Sequence, residues 1–324
     1  EKLTDLCETV NYYPRKTGFV SNISLTPYIV KSRTSDLLIS NLLKDDYPIL
    51  FEGMHTCYYL SDFRLRNRLK IYRESNIEHH YYMHLFRDEK SPLKKLFFLF
   101  EAFRLRLFQQ KLRHANLMLV VSQSDTDYLQ KRFPKNKVVY LPSFHSNDDF
   151  GVKSGFGDYV LYHGKLSVTE NYNAAGYLIR EVFSQLDRKL VVAGMDPPLH
   201  LTNLCKEHKN VELVPNPDDT EMYSLIQNAQ ANVLITFQAT GLKLKLLNTL
   251  FNGRFCIVNP AMVQGTGLDS LCLKAESAKE LQMLIQDVFS RSFDAHEVEI
   301  RRQVLQKHYN NSNNAIRLIQ LVFG

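Results

Sequence analysis

With 324 residues the chain is long enough for two domains of ordinary size, each able to bury its own core. Its 44% hydrophobic and 23% charged residues are those of a folded globular chain, and no apolar run reaches the roughly 20 residues that span a bilayer. Five scattered cysteines, odd in number, exclude a disulfide framework or a thiolate metal site, and no signal-peptide pattern is visible, so reduced thiols in a cytoplasmic protein are expected. A net charge of +6 suits an anionic ligand or an anionic membrane surface.

In chain order, short apolar runs predict strands at 48–51, 69–73, 117–121 and 137–141. Helices are expected between them at 78–86, 92–113 and 125–133, the last capped by Ser122 or Ser124 and stopped by Pro134. This is the βαβ rhythm of a doubly wound sheet. The helix at 92–113 carries Leu and Phe on every side, with Lys and Arg between them. Two readings stay open. Phe97, Phe100 and Phe103 belong to a core under snorkelling basic residues, or the helix lies in a membrane interface. The polar stretch 142–156 is the expected linker. A second alternating run follows: strands at 159–162, 189–193, 211–214 and 231–235, with helices at 170–186, 200–208 and 219–228. Two helices, 295–309 and 313–323, close the chain, the second capped by Ser312.

Between the strand at 231–235 and an apolar run at 255–258 there is room for one loop and one helix. Leu242, Leu246, Leu247 and Leu250 share a helical face, and Gly253 stands where a left-handed cap would end it. Lys243 and Lys245 would occupy the first turns, where the helix dipole disfavours cations. Their position is sensible if an anion such as phosphate sits at the helix start, with Gly241 permitting its close approach. The strict alternation over 242–246 also fits an edge strand guarded by lysines.

The segment Thr240-Gly241-Leu242-Lys243-Leu244-Lys245-Leu246-Leu247 is similar to the donor-binding stretch of retaining nucleotide-sugar glycosyltransferases of the GT-B fold, and among them to a bacterial, group 1-like family. Met262-Val263-Gln264-Gly265-Thr266-Gly267-Leu268, Tyr162-His163-Gly164-Lys165-Leu166-Ser167 and Asn76-Ile77-Glu78-His79 extend the resemblance, in the same order, over nearly the whole chain. It implies an α/β protein of two Rossmann-like parallel-sheet domains facing a cleft. Residues 1–150 would be the acceptor-side domain, and 151–324 the nucleotide-sugar domain with terminal helices. It also implies that the first domain lacks its first βαβ unit.

Ligands of open parallel sheets bind at the carboxyl ends of the strands. There the resemblance assigns donor contacts to Gly164, Lys165, Thr240, Gly241, Lys243, Lys245 and Asn248. Three lysines around one diphosphate can neutralise a leaving group without a metal. The family's two glutamates, eight positions apart, are matched by Thr240 and Asn248, and its histidine after the second strand by Ser75; all three depart from the pattern. Glu52, His55, Asn76 and Glu78 are the catalytic candidates in the first domain, although Glu78 is equally a favourable helix start. No paired-Asp motif for a metal is present, so neither metal nor cofactor is expected.

The implied activity is transfer of a sugar from a nucleoside-diphosphate donor to a glycan or lipid-linked acceptor, with retention. The implied place is the cytoplasm or the inner membrane face, without nucleic acid as partner. The alternative is a catalytically impaired protein of the same fold that binds sugar nucleotides or glycans.

Overall fold

The structure is a computed structural model that describes residues 3–17, 24–147, 149–237 and 244–324. The chain divides into two compact units, Glu1–Leu141 with Ile319–Gly324, and Pro142–Leu318.

The first unit is built on four parallel strands in the order β1-β2-β3-β4: β1 (Ile49–Glu52), β2 (Lys70–Glu74), β3 (Leu117–Val120) and β4 (Lys137–Tyr140). Every residue of β2 and β3 is buried, the signature of strands covered on both faces. Around them run α1 (Tyr28–Lys31), α2 (Asp36–Leu42), α3 (Glu78–Asp88), α4 (Pro92–Phe108) and α5 (Gln123–Arg132). Ser122 caps α5 by accepting a hydrogen bond from the Asp125 N–H at 3.2 Å. Pro92 opens α4, where its missing N–H has no cost. No helix of the described residues is long and apolar enough to cross a membrane.

The core reading of α4 holds for only one side of it. Glu101, Ala102, Leu105 and Phe108 are buried, whereas Phe97, Phe100 and Phe103 are 36%, 56% and 60% exposed. The inward face is defined by a carboxylate. Glu101, with no accessible surface, accepts from the Tyr28 N–H at 2.8 Å and from Arg104 at 2.7 Å. A buried charge satisfied in this way dictates the rotation of the helix, and the phenylalanines fall outside.

The second unit holds six parallel strands: β5 (Val160–His163), β6 (Leu190–Gly194), β7 (Val211–Pro215), β8 (Ala231–Leu234), β9 (Phe255–Val258) and β10 (Leu273–Lys274). Their spatial order is β10-β9-β8-β5-β6-β7. Within the unit this is the doubly wound order 3-2-1-4-5-6, so the winding reverses between β5 and β8. The helices are α6 (Thr169–Tyr177), α7 (Leu199–Glu207), α8 (Asp219–Asn228), α9 (Leu244–Asn252), α10 (Pro260–Val263), α11 (Ala278–Ser290), α12 (Ala295–Tyr309) and the first part of α13 (Asn311–Phe323), whose residues from Ile319 on count with the first unit. Val160, Tyr162, Val192, Val233 and Ile257 of the strands pack with Ala174, Leu178 and Ile285 of the helices in one buried cluster.

Several expectations are corrected here. The two units divide at the start of the expected linker, between Leu141 and Pro142, and the stretch that follows is bonded within the second unit. The His145 ring meets the Tyr309 carbonyl at 2.7 Å, Asn147 bonds Asn252, and the Gly151 N–H donates to the Phe251 carbonyl at 2.9 Å. Its polar groups there bond the ends of α9 and α12. Gly253 is not in the left-handed region; a Cβ there would lie 2.4 Å from Asn232 Nδ2, so close approach requires the glycine. The last helix starts before Ser312, and Asn310 caps it by accepting from the Asn313 N–H at 2.9 Å. The helix expected over 170–186 widens into a π turn at Leu178–Val182 and tightens into a 3-10 turn at Phe183–Gln185.

Candidate functional site

At a topological switch point two neighbouring strands send their chains to opposite faces of the sheet, leaving a crevice outside their carboxyl ends. In the second unit that crevice is bounded by the residues after β5 and after β8. Gly164 and Gly194 keep it open to close backbone approach. A Cβ at Gly194, whose φ is +157°, would sit 1.8 Å from the Gly164 carbonyl oxygen, and one at Gly164 would lie 3.2 Å from the Asn171 side chain.

Asn171, in the first turn of α6, is the hub. Its Nδ2 donates to the Lys165 carbonyl at 3.0 Å, and its Oδ1 accepts from Lys245 Nζ at 3.2 Å. Lys245 reaches this position from the first turn of α9, with Nζ 5.5 Å from the centroid of the buried Tyr162 ring. The Asn171 amide thereby joins the Lys165 main chain to the Lys245 ammonium, which comes from 74 positions further along the chain. Lys165 is exposed and Lys245 half-buried. Beneath them His163 is fully buried, with Nε2 3.0 Å from Thr249 Oγ1. Burial, reinforced by the Lys245 charge, pushes its pKa down to about 3, so His163 stays neutral and the lysines supply the positive charge.

The chain leaving β8 is held by Glu170, next to Asn171. The Glu170 carboxylate accepts from the Thr236 hydroxyl and from the Phe237 N–H at 3.1 Å. Asn259, after β9, bonds Thr236 through both its N–H and its carbonyl, at 3.1 and 2.7 Å. The arrangement can bind an anion: the Lys245 ammonium and the first turn of α9 lie beside the turn at Gly164, on which Lys165 is exposed.

Thr240, Gly241 and Lys243 lie outside the described residues. Asn248 is half-buried, and its Oδ1 accepts from Asn147 Nδ2 at 2.9 Å. Glu170, Asn171 and Thr236 were not among the candidates drawn from the sequence. The usable signal for the first two was their place in the opening turn of the helix that follows β5.

In the first unit the candidates divide. Glu52 is exposed and pairs with Arg73 at 3.5 Å. Burial raises its pKa and Arg73 opposes the rise. His55 is half-buried in a 3-10 turn, Met54–Tyr59, and burial, then Arg33 and Arg15, lower its pKa. Gly53, at φ +74°, is required there, since its Cβ would lie 2.7 Å from the His55 ring. Asn76 and Glu78 come together. Asn76 Nδ2 donates to Glu78 Oε1 at 3.4 Å, and the Asn76 N–H to Glu74 Oε1 at 3.2 Å.

Glu74 was missed by the sequence candidates. It is fully buried, takes the Tyr72 hydroxyl at 2.5 Å, and burial raises its pKa well above the carboxylate range. Glu78 is also raised, by burial first, with Asn76 and Arg33 opposing. Strand alternation sends Arg73, and with it Glu52, to the face opposite Tyr72 and Glu74, so Glu52 does not join the Asn76–Glu78 pair. Ser75 is exposed. No group of three or more His, Cys, Asp or Glu converges among the described residues.

No family model matches the chain. An uncharacterized 44.6 kDa protein in the cps region of Klebsiella pneumoniae is 24% identical over 287 residues, covering 82% of this chain and 71% of that protein. Among solved structures, an α,α-trehalose-phosphate synthase (UDP-forming) from Burkholderia xenovorans in complex with glucose-6-phosphate matches with a TM-score of 0.63 at 10% identity, over 89% of this chain and 76% of that one. A TarM variant from S. aureus in complex with fondaparinux, α-GlcNAc-glycerol and UDP matches with a TM-score of 0.64 at 11% identity, over 89% of this chain and 58% of that one. These likenesses show the fold: two parallel-sheet α/β domains of the GT-B type.

Proposed function

We propose that the protein is a retaining, metal-independent glycosyltransferase that moves a sugar, of the hexosyl class, from a nucleoside-diphosphate donor to a glycan or lipid-linked acceptor. The observation that carries this reading is Asn171 at the switch point of the second unit, whose Oδ1 accepts from the Lys245 ammonium and whose Nδ2 holds the main chain of the exposed Lys165. A diphosphate leaving group needs positive charge at the moment the glycosidic bond breaks, and preorganised ammonium groups provide it without reorganisation. Gly164 allows the phosphates to approach the backbone, and Gly241 and Lys243 are assigned the same task at the start of α9. His55, Asn76 and Glu78 are assigned to the acceptor side, where burial raises the Glu78 pKa, the direction that a carboxyl exchanging a proton with a hydroxyl needs. UDP in the TarM variant structure supports a nucleotide-sugar donor. The relative's cps region supports polysaccharide synthesis, carried out in the cytoplasm.

Thermal shift with UDP, GDP, ADP, dTDP and CMP conjugates identifies the donor. Donor turnover with the anomeric outcome followed by NMR then tests the reaction. Inversion would refute retention. Tight donor binding without hydrolysis or transfer would favour the binding-module alternative, for which the engagement of Asn248 by Asn147 is the motive.

A further inference from the structure

In the first unit α4 leaves a stripe of large apolar side chains uncovered. At 100° per residue, Leu93, Leu96, Phe97, Phe100, Phe103 and Leu107 fall within a sector roughly 120° wide. Their exposures run from 36% to 82%. Such a stripe is costly in water, at about 1.5–3 kcal/mol for each large side chain left unburied. Along one flank of the stripe lies a cavity of about 490 Å³ between α3, α4 and α5, and Phe103 lines it as well as belonging to the stripe.

Two exposed arginines give the cavity its positive charge. Arg106 and Arg132 line it from α4 and α5, and among the described residues neither forms an ion pair. Its wall holds two buried groups lacking partners among the described residues, His79 Nδ1 and Gln109 Nε2. His79 and Gln109 are only 6% and 1% exposed. The Tyr128 hydroxyl donates to Gln109 Oε1 at 3.0 Å, which leaves the Gln109 NH₂ as the unpartnered end. Buried polar atoms left unpaired cost about 1–3 kcal/mol each, so a site of this kind is completed by a ligand that can bond them.

We propose that this face docks on an anionic lipid bilayer, with the α4 stripe entering the acyl boundary and a lipid phosphate seated in the cavity against Arg106, Arg132 and Gln109. Charge complementarity selects the occupant. Guanidinium groups beside an apolar stripe match a phosphate joined to hydrocarbon, whereas an acidic peptide or a nucleic acid would leave the leucines in water. The proposal stands on the first unit alone and goes beyond sugar transfer.

The test is flotation of the full chain with phosphatidylcholine vesicles and with phosphatidylcholine–phosphatidylglycerol vesicles, without any sugar nucleotide. Binding is expected only to the second, and it weakens as salt is raised. Arg106→Gln and Arg132→Gln should each lower partitioning about fivefold. Phe100→Ser with Phe103→Ser should lower it by about tenfold or more. All four residues lie outside the switch-point site, so an unchanged melting temperature and unchanged nucleotide binding confirm that the variants fold. Equal binding to neutral vesicles, or partitioning unchanged by the variants, overturns the proposal. Binding of soluble glycerol phosphate without partitioning to either vesicle would assign the cavity to a free phosphate ester and overturn the bilayer. Self-association lost on the Phe100→Ser and Phe103→Ser changes, without vesicle binding, would assign the stripe to a second copy and do the same. Failure on these arms leaves the transferase reading untouched, because no donor is present.

Discussion

Replacing Lys245 by alanine removes a half-buried cation from the first turn of α9, and the structure allows its two consequences to be separated. In the empty protein the ammonium lies 5.5 Å from the centroid of the Tyr162 ring, a contact worth about 0.5–1 kcal/mol. It donates to Asn171 at 3.2 Å, worth about 0.5–1.5 kcal/mol. Against these stands a cation at the positive end of a helix, an unfavourable placement of about 0.3–1 kcal/mol, and alanine is the better helix former. The net loss is about 1 kcal/mol and at most about 2 kcal/mol, so the melting temperature should move by no more than about 4–8 °C. With a diphosphate bound the same ammonium makes a charge-assisted contact, and its loss should cost about 1.5–3 kcal/mol, or roughly ten- to hundredfold in affinity. Calorimetric titration of the preferred nucleotide into Lys245→Ala and the parent, beside thermal melts of both, measures the two quantities. Parent-like affinity would refute the site, and a fall in melting temperature above about 10 °C would show that Lys245 is a structural residue.

Gly194→Ala should destabilise the second unit by about 2–3 kcal/mol in urea titration, because its Cβ would lie 1.8 Å from the Gly164 carbonyl and two parallel strands must part to admit it. Glu170→Ala should cost about 1–3 kcal/mol and weaken nucleotide binding, since Thr236 and the Phe237 N–H lose their acceptor; Glu170→Gln should recover most of the loss. His163 supplies a pH signature. Its folded pKa, about 3, lies below the unfolded 6.5, so between those values the unfolded chain binds more protons and stability falls as pH falls. The effect is absent above pH 6.5 and on the order of several kcal/mol near pH 3; His163→Gln should flatten the acid limb of a stability–pH curve, and an unchanged limb would exclude His163 as its source.

The strands of both sheets were legible because parallel strands are short apolar runs, fully buried in the middle of each sheet and half-buried at edges such as β1, β4 and β7, and nine such runs lie within a residue of the observed ones. β10 was not legible: Leu273 and Lys274 form a strand only because β9 offers them a free edge. α11 was passed over although its start carries a signal, Ser277 accepting from the Glu280 N–H at 3.2 Å. Lys245, Lys165 and Gly164 could be picked out as charge and glycine in unusual places. Asn171, which joins them, could not, because an asparagine early in a helix has no pattern of its own.

Local sequence therefore determined the α/β alternation, the parallel sheets and the anomaly of lysines at a helix start, since each depends on residues a few positions apart. The tertiary structure decided what depends on distant pairs. The order β10-β9-β8-β5-β6-β7 locates the crevice between two strands separated by more than sixty positions. The buried Glu101, bonded to Tyr28 and Arg104, decides which side of α4 faces inward. A helix that is apolar all round has no preferred face from its periodicity, so one satisfied buried carboxylate sets its rotation and leaves the phenylalanines outside.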